Sequence, residues 1–186
     1  MVIPADHVFP LPADVSPEVG ALIESLTVAW HAVRRSGAGE GTTALVIGAG
    51  PIGLGLLLCL QAAGASTVVV SEPSESRRAL AAELGADPVD PRTTDVAAYV
   101  RGRAPAGADV SFDASGAGTI TLSAAIDGVR SGGQAVIVAN SHHKVEIISS
   151  RLTLPEAVDR GIRHLLGPGR DSEVKILVAP SGDQKI

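Results

Sequence analysis

Gly48-Ala49-Gly50-Pro51-Ile52-Gly53 is the stretch that decides the fold. It follows the apolar run 44–47 (ALVI) and precedes the apolar run 54–58 (LGLLL), so the pattern predicts a strand, a glycine-rich turn and a helix. Each glycine has a physical reason: Gly48 allows a tight turn, Gly50 lets a pyrophosphate approach the backbone, and Gly53 lets the helix lie close to the sheet. The N-terminus of that helix would offer free N–H groups to an anion.

The segment after this helix supplies the acidic residue that a dinucleotide site requires. Residues 67–70 (TVVV) predict a buried parallel strand, and Glu72 follows it about 20 residues after the turn. A carboxylate at this place accepts hydrogen bonds from both ribose hydroxyls of an adenosine and repels a 2′-phosphate, which favours NAD over NADP. The alternative is a solvated carboxylate at a strand end, but its place in the fingerprint favours cofactor binding.

Composition limits the classes of protein that need to be considered. The chain has 186 residues, 45% of them hydrophobic but only 2% aromatic, so it predicts one domain with a core of Ala, Val, Leu and Ile. A net charge of −5 argues against nucleic-acid or anionic-membrane partners. No apolar run approaches the ~20 residues of a membrane span, and we expect a soluble cytoplasmic protein. The single cysteine, Cys59, excludes an intrachain disulfide and is expected to be a small buried residue.

Strands and helices alternate along the chain. After a proline-rich extended segment, Ser16 and Pro17 are expected to begin two short helices that run to about Arg35. Strands are predicted over 44–47, 67–70, 87–90, 109–113 and 134–139. Further helices are predicted from the glycine turn to about Ala63, from Ser74 to Leu84, over 93–103, and over 119–129 with a stop at 131–133. The fold class predicted is α/β, a Rossmann-type doubly wound parallel sheet with helices on both faces.

Taken together, these motifs resemble the coenzyme domain of medium-chain, zinc-type alcohol dehydrogenases, especially the polyol branch of butanediol and sorbitol dehydrogenases. The matching pieces are 20–24 (GALIE), 28–32 (VAWHA), 46–53 (VIGAGPIG), 71–73 (SEP), 83–86 (ELGA), 112–116 (FDASG), 132–133 (GG), 151–157 (RLTLPEA) and 174–178 (VKILV).

The resemblance also implies a domain organisation. Residues 1–18 would be an extended remnant of the junction with a catalytic domain, 19–147 an NAD-binding Rossmann domain, and 148–186 a C-terminal helix and strand. The chain begins where the zinc-binding catalytic domain of the family would be ending, and a family segment with a sixth strand is expected to be missing near 147/148, so the sequence is expected to be truncated. Without that strand we expect the fifth strand to be an exposed edge.

The resemblance assigns cofactor contacts residue by residue. The set is Gly48, Gly50, Pro51, Ile52, Gly53, Glu72, Arg77, Ala114, Ser115, Val138, Ala139 and Asn140. Pro51 and Ile52 would supply N–H groups or packing beside the pyrophosphate, and Ala114 and Ser115 backbone contacts near the adenine and ribose. Residues 138–140 would face the nicotinamide. Two assignments have alternatives: Arg77 as a solvated helix arginine and Asn140 as a turn residue.

No metal site is predicted in this chain. Glu24 matches the position that lies at the catalytic zinc in the polyol branch, but one carboxylate is not a zinc site, which needs three protein ligands. Its alternative is a carboxylate near a helix end. His31 is read as a packed helix histidine. The pair His142 and His143 is read as solvated turn residues.

The reaction implied by the resemblance is hydride transfer between a secondary alcohol or diol and NAD, with zinc as Lewis acid in the parent enzyme. We expect this chain alone to bind NAD(H) without turnover, with a small alcohol or diol as the parent enzyme's substrate and with a homo-oligomer allowed. Three alternatives stay open: a non-catalytic nucleotide-binding module, a zinc-independent NADPH reductase of the same superfamily, for which Arg77 and Arg78 leave an opening, and a methyltransferase.

Overall fold

The computed structural model describes residues 4–139 and 177–178. Within them, strands and helices alternate as the sequence predicts. The strands are β1 (Thr43–Ile47), β2 (Thr67–Ser71), β3 (Asp87–Val89), β4 (Ala108–Asp113), β5 (Val129–Ile137) and β6 (Leu177–Val178). The helices are α1 (Pro17–Gly20), α2 (Ile23–Ser36), α3 (Pro51–Ala62), α4 (Glu75–Glu83), α5 (Val96–Arg101) and α6 (Thr119–Gly128), after a 3₁₀ turn over Ala5–His7.

One sheet carries these strands in the order β3-β2-β1-β4-β5-β6. β1 lies at its centre and pairs in parallel with β2 on one side and with β4 on the other. The chain therefore winds outward from β1 to β3, crosses back to β4, and continues to β5. This is a doubly wound α/β fold, and it confirms the Rossmann-type class predicted from the alternation of elements.

Helices cover both faces of the sheet, and the side chains of β1 divide between them. Val46 faces Leu56 and Leu57 of α3 in a cluster that also includes α2. Leu45 faces the opposite way, toward Val100 of α5 in a second cluster. Strands buried on both faces are typical of parallel sheets, and they explain why β1 and β2 are continuous apolar runs and do not alternate.

Several helix ends lie where local chemistry predicts them. Ser16 Oγ accepts a hydrogen bond from Val19 N (3.4 Å) before Pro17, and two short helices follow. Gly64 (φ +90°) ends the turn after α3, a backbone conformation that favours glycine. Cys59 is buried on α3, as predicted.

Two element boundaries differ from the sequence prediction, and one residue expected to cap a helix does not. α5 begins at Val96, not Thr93, because the Asp95 carboxylate caps Ala98 N (3.0 Å) and fixes the first turn there. Ser74 precedes α4 but makes no side-chain cap. β5 begins at Val129, so residues 131–133 are not a stop but an irregularity within the strand, where its register against β4 shifts.

The outer edge of β5 also differs from expectation. Leu177 pairs with Val136 and Val178 with Ala135, in antiparallel orientation. The prediction that β5 is an unpaired edge is therefore wrong at these two positions, because the tail returns to the sheet. The domain boundaries predicted at 18 and 147 are not tested by these contacts.

Candidate functional site: the carboxyl edge of the sheet

The glycine-rich turn connects β1 to α3 at the carboxyl edge of the sheet. Gly48 leaves the strand with φ +98°, and its N–H donates to Ser71 O of β2 (2.8 Å). A Cβ at Gly48 would lie 3.3 Å from backbone atoms of Ala114 and Ser115, so the turn and the loop after β4 are in close contact. Two of the predicted contact regions are therefore adjacent in space.

Gly53 and Gly50 serve opposite purposes in this turn. A Cβ on Gly53 would lie 1.9 Å from Gly48 O, so only glycine lets α3 begin this close to the strand end. A Cβ on Gly50 would meet no atom of the described residues within 4 Å. Protein packing thus does not require a glycine at position 50, whereas a ligand that approaches the backbone there would.

The N-terminus of α3 lies at the same place. Gly50 is its N-cap and no side chain caps it, so the first N–H groups of the helix have no partner within the helix. Pro51 has no N–H, which corrects the expectation that it could supply one. Ile52 and Gly53 can donate, and the helix dipole favours an anion in front of them.

Glu72 is buried at the end of β2, with an exposed fraction of 4%. Its Oε2 accepts a hydrogen bond from Ala49 N in the glycine turn (2.8 Å), and its Oε1 accepts one from Ser74 N (2.8 Å). The reading of Glu72 as a solvated strand-end carboxylate is therefore wrong. The carboxylate ties the turn to the loop that leads into α4, and each of its oxygens keeps further acceptor capacity.

The loop after β4 is organised by Asp113, which the sequence analysis did not single out. This carboxylate is 4% exposed; its Oδ1 accepts from Ser115 N (3.0 Å) and Ser115 Oγ (2.7 Å), and its Oδ2 accepts from Thr121 Oγ1 (2.9 Å). The Ser115 hydroxyl is therefore turned toward Asp113. An Asp followed two residues later by Ser is the signal that could have found it, because Asp side chains at strand ends bond the backbone two residues on.

The end of β5 joins the same edge. Val138 N and Ala139 N both donate to Asp113 O (2.9 and 3.0 Å), which places these two residues beside the loop of Ala114 and Ser115. Asn140 lies outside the described residues, as do His142 and His143. Of the predicted cofactor contacts, the structure thus brings together the turn, Glu72, 114–115 and 138–139.

The two arginines of α4 behave differently. Arg77 is exposed and forms no hydrogen bond or ion pair with other residues in the described part of the chain. Arg78 Nη1 donates to the carbonyl oxygens of Glu72 (2.8 Å) and Pro73 (2.7 Å), and its Nη2 lies 3.1 Å from Asp90 Oδ2. Arg78 thus uses both nitrogens at the end of its guanidinium to hold the loop that carries Glu72.

Comparison with known proteins identifies the family. A family model described as zinc-binding dehydrogenase matches residues 51–167, more than half of the chain. The chain belongs to the zinc-binding dehydrogenase family. The region matched includes α3 and the loops after β2 and β4 that form the site.

Relatives within the zinc-binding dehydrogenase family include alcohol and diol dehydrogenases. A probable diacetyl reductase of Saccharomyces cerevisiae is 43% identical over 162 residues, 84% of this chain and 39% of the relative. The structure of 2R,3R-butanediol dehydrogenase from Bacillus subtilis has a TM-score of 0.72 and 32% identity, covering 93% of this chain and 60% of that one. A short-chain alcohol dehydrogenase from Escherichia coli CFT073, solved with NADH, has a TM-score of 0.71 and 25% identity, covering 79% of this chain and 44% of that one. The chain spans about two-fifths of the length of the curated relatives it matches.

The described residues do not fit the zinc for which the family is named. Among residues 4–139 and 177–178, no group of three or more His, Cys, Asp or Glu side chains could hold a metal ion. Glu24 lies exposed in the first turn of α2, where its Oε2 accepts only a hydrogen bond from its neighbour Ser25 Oγ (3.2 Å). His31, expected to be packed, is exposed instead. In the same described part, no helix is long and apolar enough to cross a membrane.

Proposed function

We propose that this chain binds NAD(H) at the carboxyl edge of its sheet, as the cofactor-binding region of a zinc-type alcohol or polyol dehydrogenase. The observation that carries the proposal is the pair of glycines at the turn: Gly53 is required by packing, whereas the space in front of Gly50 is open. A pyrophosphate is the ligand group that this combination of open backbone and helix N-terminus fits best.

The proposed roles of the residues follow from their positions. Ile52 and Gly53 would donate backbone N–H groups to the pyrophosphate, and Glu72 would accept hydrogen bonds from the adenosine ribose with the acceptor capacity that Ala49 and Ser74 leave free. Bound NAD⁺ would supply the hydride acceptor of the reaction. Val138 and Ala139, at the end of β5, would line the side where the nicotinamide lies.

The proposed preference is for NAD(H) over NADP(H). Glu72 places a buried negative charge where a 2′-phosphate would need a positive one. Arg78, one of the two cations that left an NADPH reductase open, is engaged by two carbonyl oxygens and Asp90. Of the two arginines of α4, Arg77 is the exposed one, and its accessibility supports the ribose contact that the family resemblance implies.

We also propose a reaction for the whole enzyme and the part of it that this chain performs. The parent activity would be hydride transfer between a secondary alcohol or diol and NAD, as in the butanediol dehydrogenases that the chain resembles. The zinc chemistry would come from residues outside the described part, and the 186-residue chain would bind cofactor without turnover. A cytoplasmic location and a homo-oligomer stay predictions.

A binding titration tests the proposed site. NADH added to the purified chain should raise nicotinamide fluorescence with saturation, confirmed by calorimetry. Gly50→Ala should weaken NADH binding at least about tenfold, or about 1.4 kcal/mol, because its methyl group would occupy the space of the pyrophosphate. Saturable binding that Gly50→Ala leaves unchanged would place NADH elsewhere, and no binding to the wild type would refute the proposal.

A turnover assay tests the second part of the proposal. The chain with NAD⁺, a secondary alcohol or diol and added Zn²⁺ should produce no NADH above the rate of a sample without protein. Zinc-dependent NADH formation that a chelator abolishes would show that the chain holds a complete active site. The alternative of a non-catalytic nucleotide-binding module would gain support if no catalytic partner chain restores activity.

A further inference from the structure

The Arg78 guanidinium forms a clamp on the loop that carries Glu72. Its Nη1 bridges the carbonyl oxygens of Glu72 and Pro73, and its Nη2 forms an ion pair with Asp90, which directly follows β3. Both side chains of this pair are mostly buried, with exposed fractions of 18% and 15%. The pair therefore joins the end of β2 to the end of β3 next to the proposed ribose site.

Asp90 is held in its charged form from two sides. Besides Arg78, it accepts hydrogen bonds from Arg92 N (2.9 Å), Nε (3.0 Å) and Nη2 (2.6 Å). These bonds hold the pKa of the Asp90 carboxyl well below its usual range, so the folded structure favours its ionised form. The carboxylate thus offsets the charge of Arg78 and fixes its direction.

We propose that Asp90 is a specificity-determining residue: by holding and neutralising Arg78, it prevents that arginine from accepting the 2′-phosphate of NADP(H). The inference rests on the proposed function and goes beyond the role of Glu72. An arginine beside a ribose site is the side chain that accommodates a 2′-phosphate in NADP enzymes. Here the chain carries that arginine, and three of its N–H donors are directed at Glu72 O, Pro73 O and Asp90.

The test measures the dissociation constants of NADH and NADPH for the full chain and compares their ratio. Asp90→Asn keeps the shape of the side chain but removes its charge. We expect it to lower the ratio Kd(NADPH)/Kd(NADH) about fivefold, because the charge of Arg78 is then no longer offset. Arg78→Lys should lower the ratio as well, since a lysine has one terminal nitrogen and lacks the planar fork that binds the two carbonyl oxygens with one nitrogen and Asp90 with the other.

Two further variants separate the proposed mechanism from simpler ones. Glu75→Gln removes an exposed carboxylate from the first turn of α4, and should leave the ratio within about twofold. Asp90→Asn also releases Arg92, so the double variant with Arg78→Gln tests which arginine matters; it should restore the wild-type ratio, because Arg78 is then absent and only Arg92 is left without its ion pair. A purely structural role of Asp90 would weaken both cofactors equally and leave the ratio unchanged.

The outcomes distinguish the inference from the function on which it rests. If the wild type binds NADH but Asp90→Asn and Arg78→Lys leave the ratio unchanged, the specificity role is refuted and the NAD(H) site stands. A fall in Glu75→Gln equal to that in Asp90→Asn, or no restoration in the double variant, also refutes it. If the wild type binds neither cofactor, both proposals fail together.

Discussion

Two glycines three positions apart in one turn are constrained by different things. Gly53 is constrained by the protein, because its α-carbon faces Gly48 O, whereas no atom of the described residues occupies the space beside Gly50. A glycine that costs backbone entropy and has no packing reason is what the proposed ligand contact at Gly50 requires. The comparison of these two positions therefore separates folding from binding.

Alanine substitutions at the two glycines should differ strongly in their effect on stability. Gly53→Ala should lower the free energy of unfolding by at least about 2 kcal/mol, because the methyl group overlaps backbone that cannot move freely. Gly50→Ala should change it by less than about 1 kcal/mol, since φ is −77° and only an N-cap preference is lost. Urea denaturation measures both, and equal destabilisation of the two variants would contradict this explanation.

Glu72 has a folding role in addition to its proposed binding role. Glu72→Gln replaces one accepting oxygen by an NH₂ group that faces a backbone N–H of Ala49 or Ser74. We expect a loss of about 1–3 kcal/mol in the free energy of unfolding, because a buried donor is left unsatisfied. The exposed Glu75→Gln serves as control and should stay within about 0.5 kcal/mol. A fully stable Glu72→Gln would show that these two bonds contribute nothing.

For single residues, the sequence predicted positions in the fold better than hydrogen-bond partners. The glycine spacing predicted the turn between strand and helix, and the distance from that turn predicted Glu72 at the end of the next strand, because both follow from chain geometry. It did not predict that Glu72 binds Ala49 N, or that Asp113 organises the loop after β4. Those bonds join residues that only the folded sheet brings together, and local sequence patterns do not predict such contacts.

Among the elements, the amino-terminal edge of the sheet is held by a carboxylate. Asp109 of β4 accepts hydrogen bonds from Arg130 Nε of β5 (2.7 Å) and from Thr43 N of β1 (2.9 Å). The bonds from Arg130 and Thr43 lower the pKa of the Asp109 carboxyl below its ordinary value. The Asp109 carboxylate thus joins β4 to both of its neighbouring strands, β1 and β5, by hydrogen bonds.

The lowered pKa predicts a dependence of stability on pH. Near pH 4 the unfolded chain binds more protons at this position than the folded one, so the free energy of unfolding should fall as the pH drops from about 5 toward 3. Asp109→Asn should make this fall less steep by a small amount, under about 1 kcal/mol because the pair is partly exposed. Denaturation at pH 3, 4, 5 and 7 measures the slope. As a control, Asp14→Asn, in an exposed segment, should leave the slope unchanged. An unchanged slope in Asp109→Asn would refute the claim that Asp109 contributes to the loss of stability at low pH.

Element boundaries were predicted well where a single residue sets them, and less well where tertiary contacts do. Pro17 and Gly64 act locally, so the ends they define agree with the sequence. The start of β5 at Val129 depends on pairing with Ala108, and β6 depends on a tail that returns from far along the chain. Local patterns carry no information on such pairings.

In the whole molecule, the proposed site lies at the point where the strand order reverses. β1 leads through α3 to β2 on one side, and β4 leads through α6 to β5 on the other, so the helices that follow these two neighbouring strands lie on opposite faces of the sheet. Ligands of open α/β sheets bind in this crevice. A cavity of about 360 Å³ is lined by Gln61, Ser66 and Asp87 near the starts of β2 and β3, at the opposite edge. Because the two locations lie at opposite edges of the sheet, a map of the residues that respond to NADH distinguishes binding at the glycine turn from binding in this cavity.

The most direct measurement is a map of backbone amide shifts in the ¹⁵N-labelled chain as NADH is added. We expect the largest changes at Ala49, Ile52, Gly53, Glu72 and Ser115, with little change at Gln61 and Asp87. Pro51 and Pro73 have no amide and report nothing. Changes centred on the opposite edge, or no changes at saturating NADH, would contradict the claim that the glycine turn and Glu72 form a dinucleotide site.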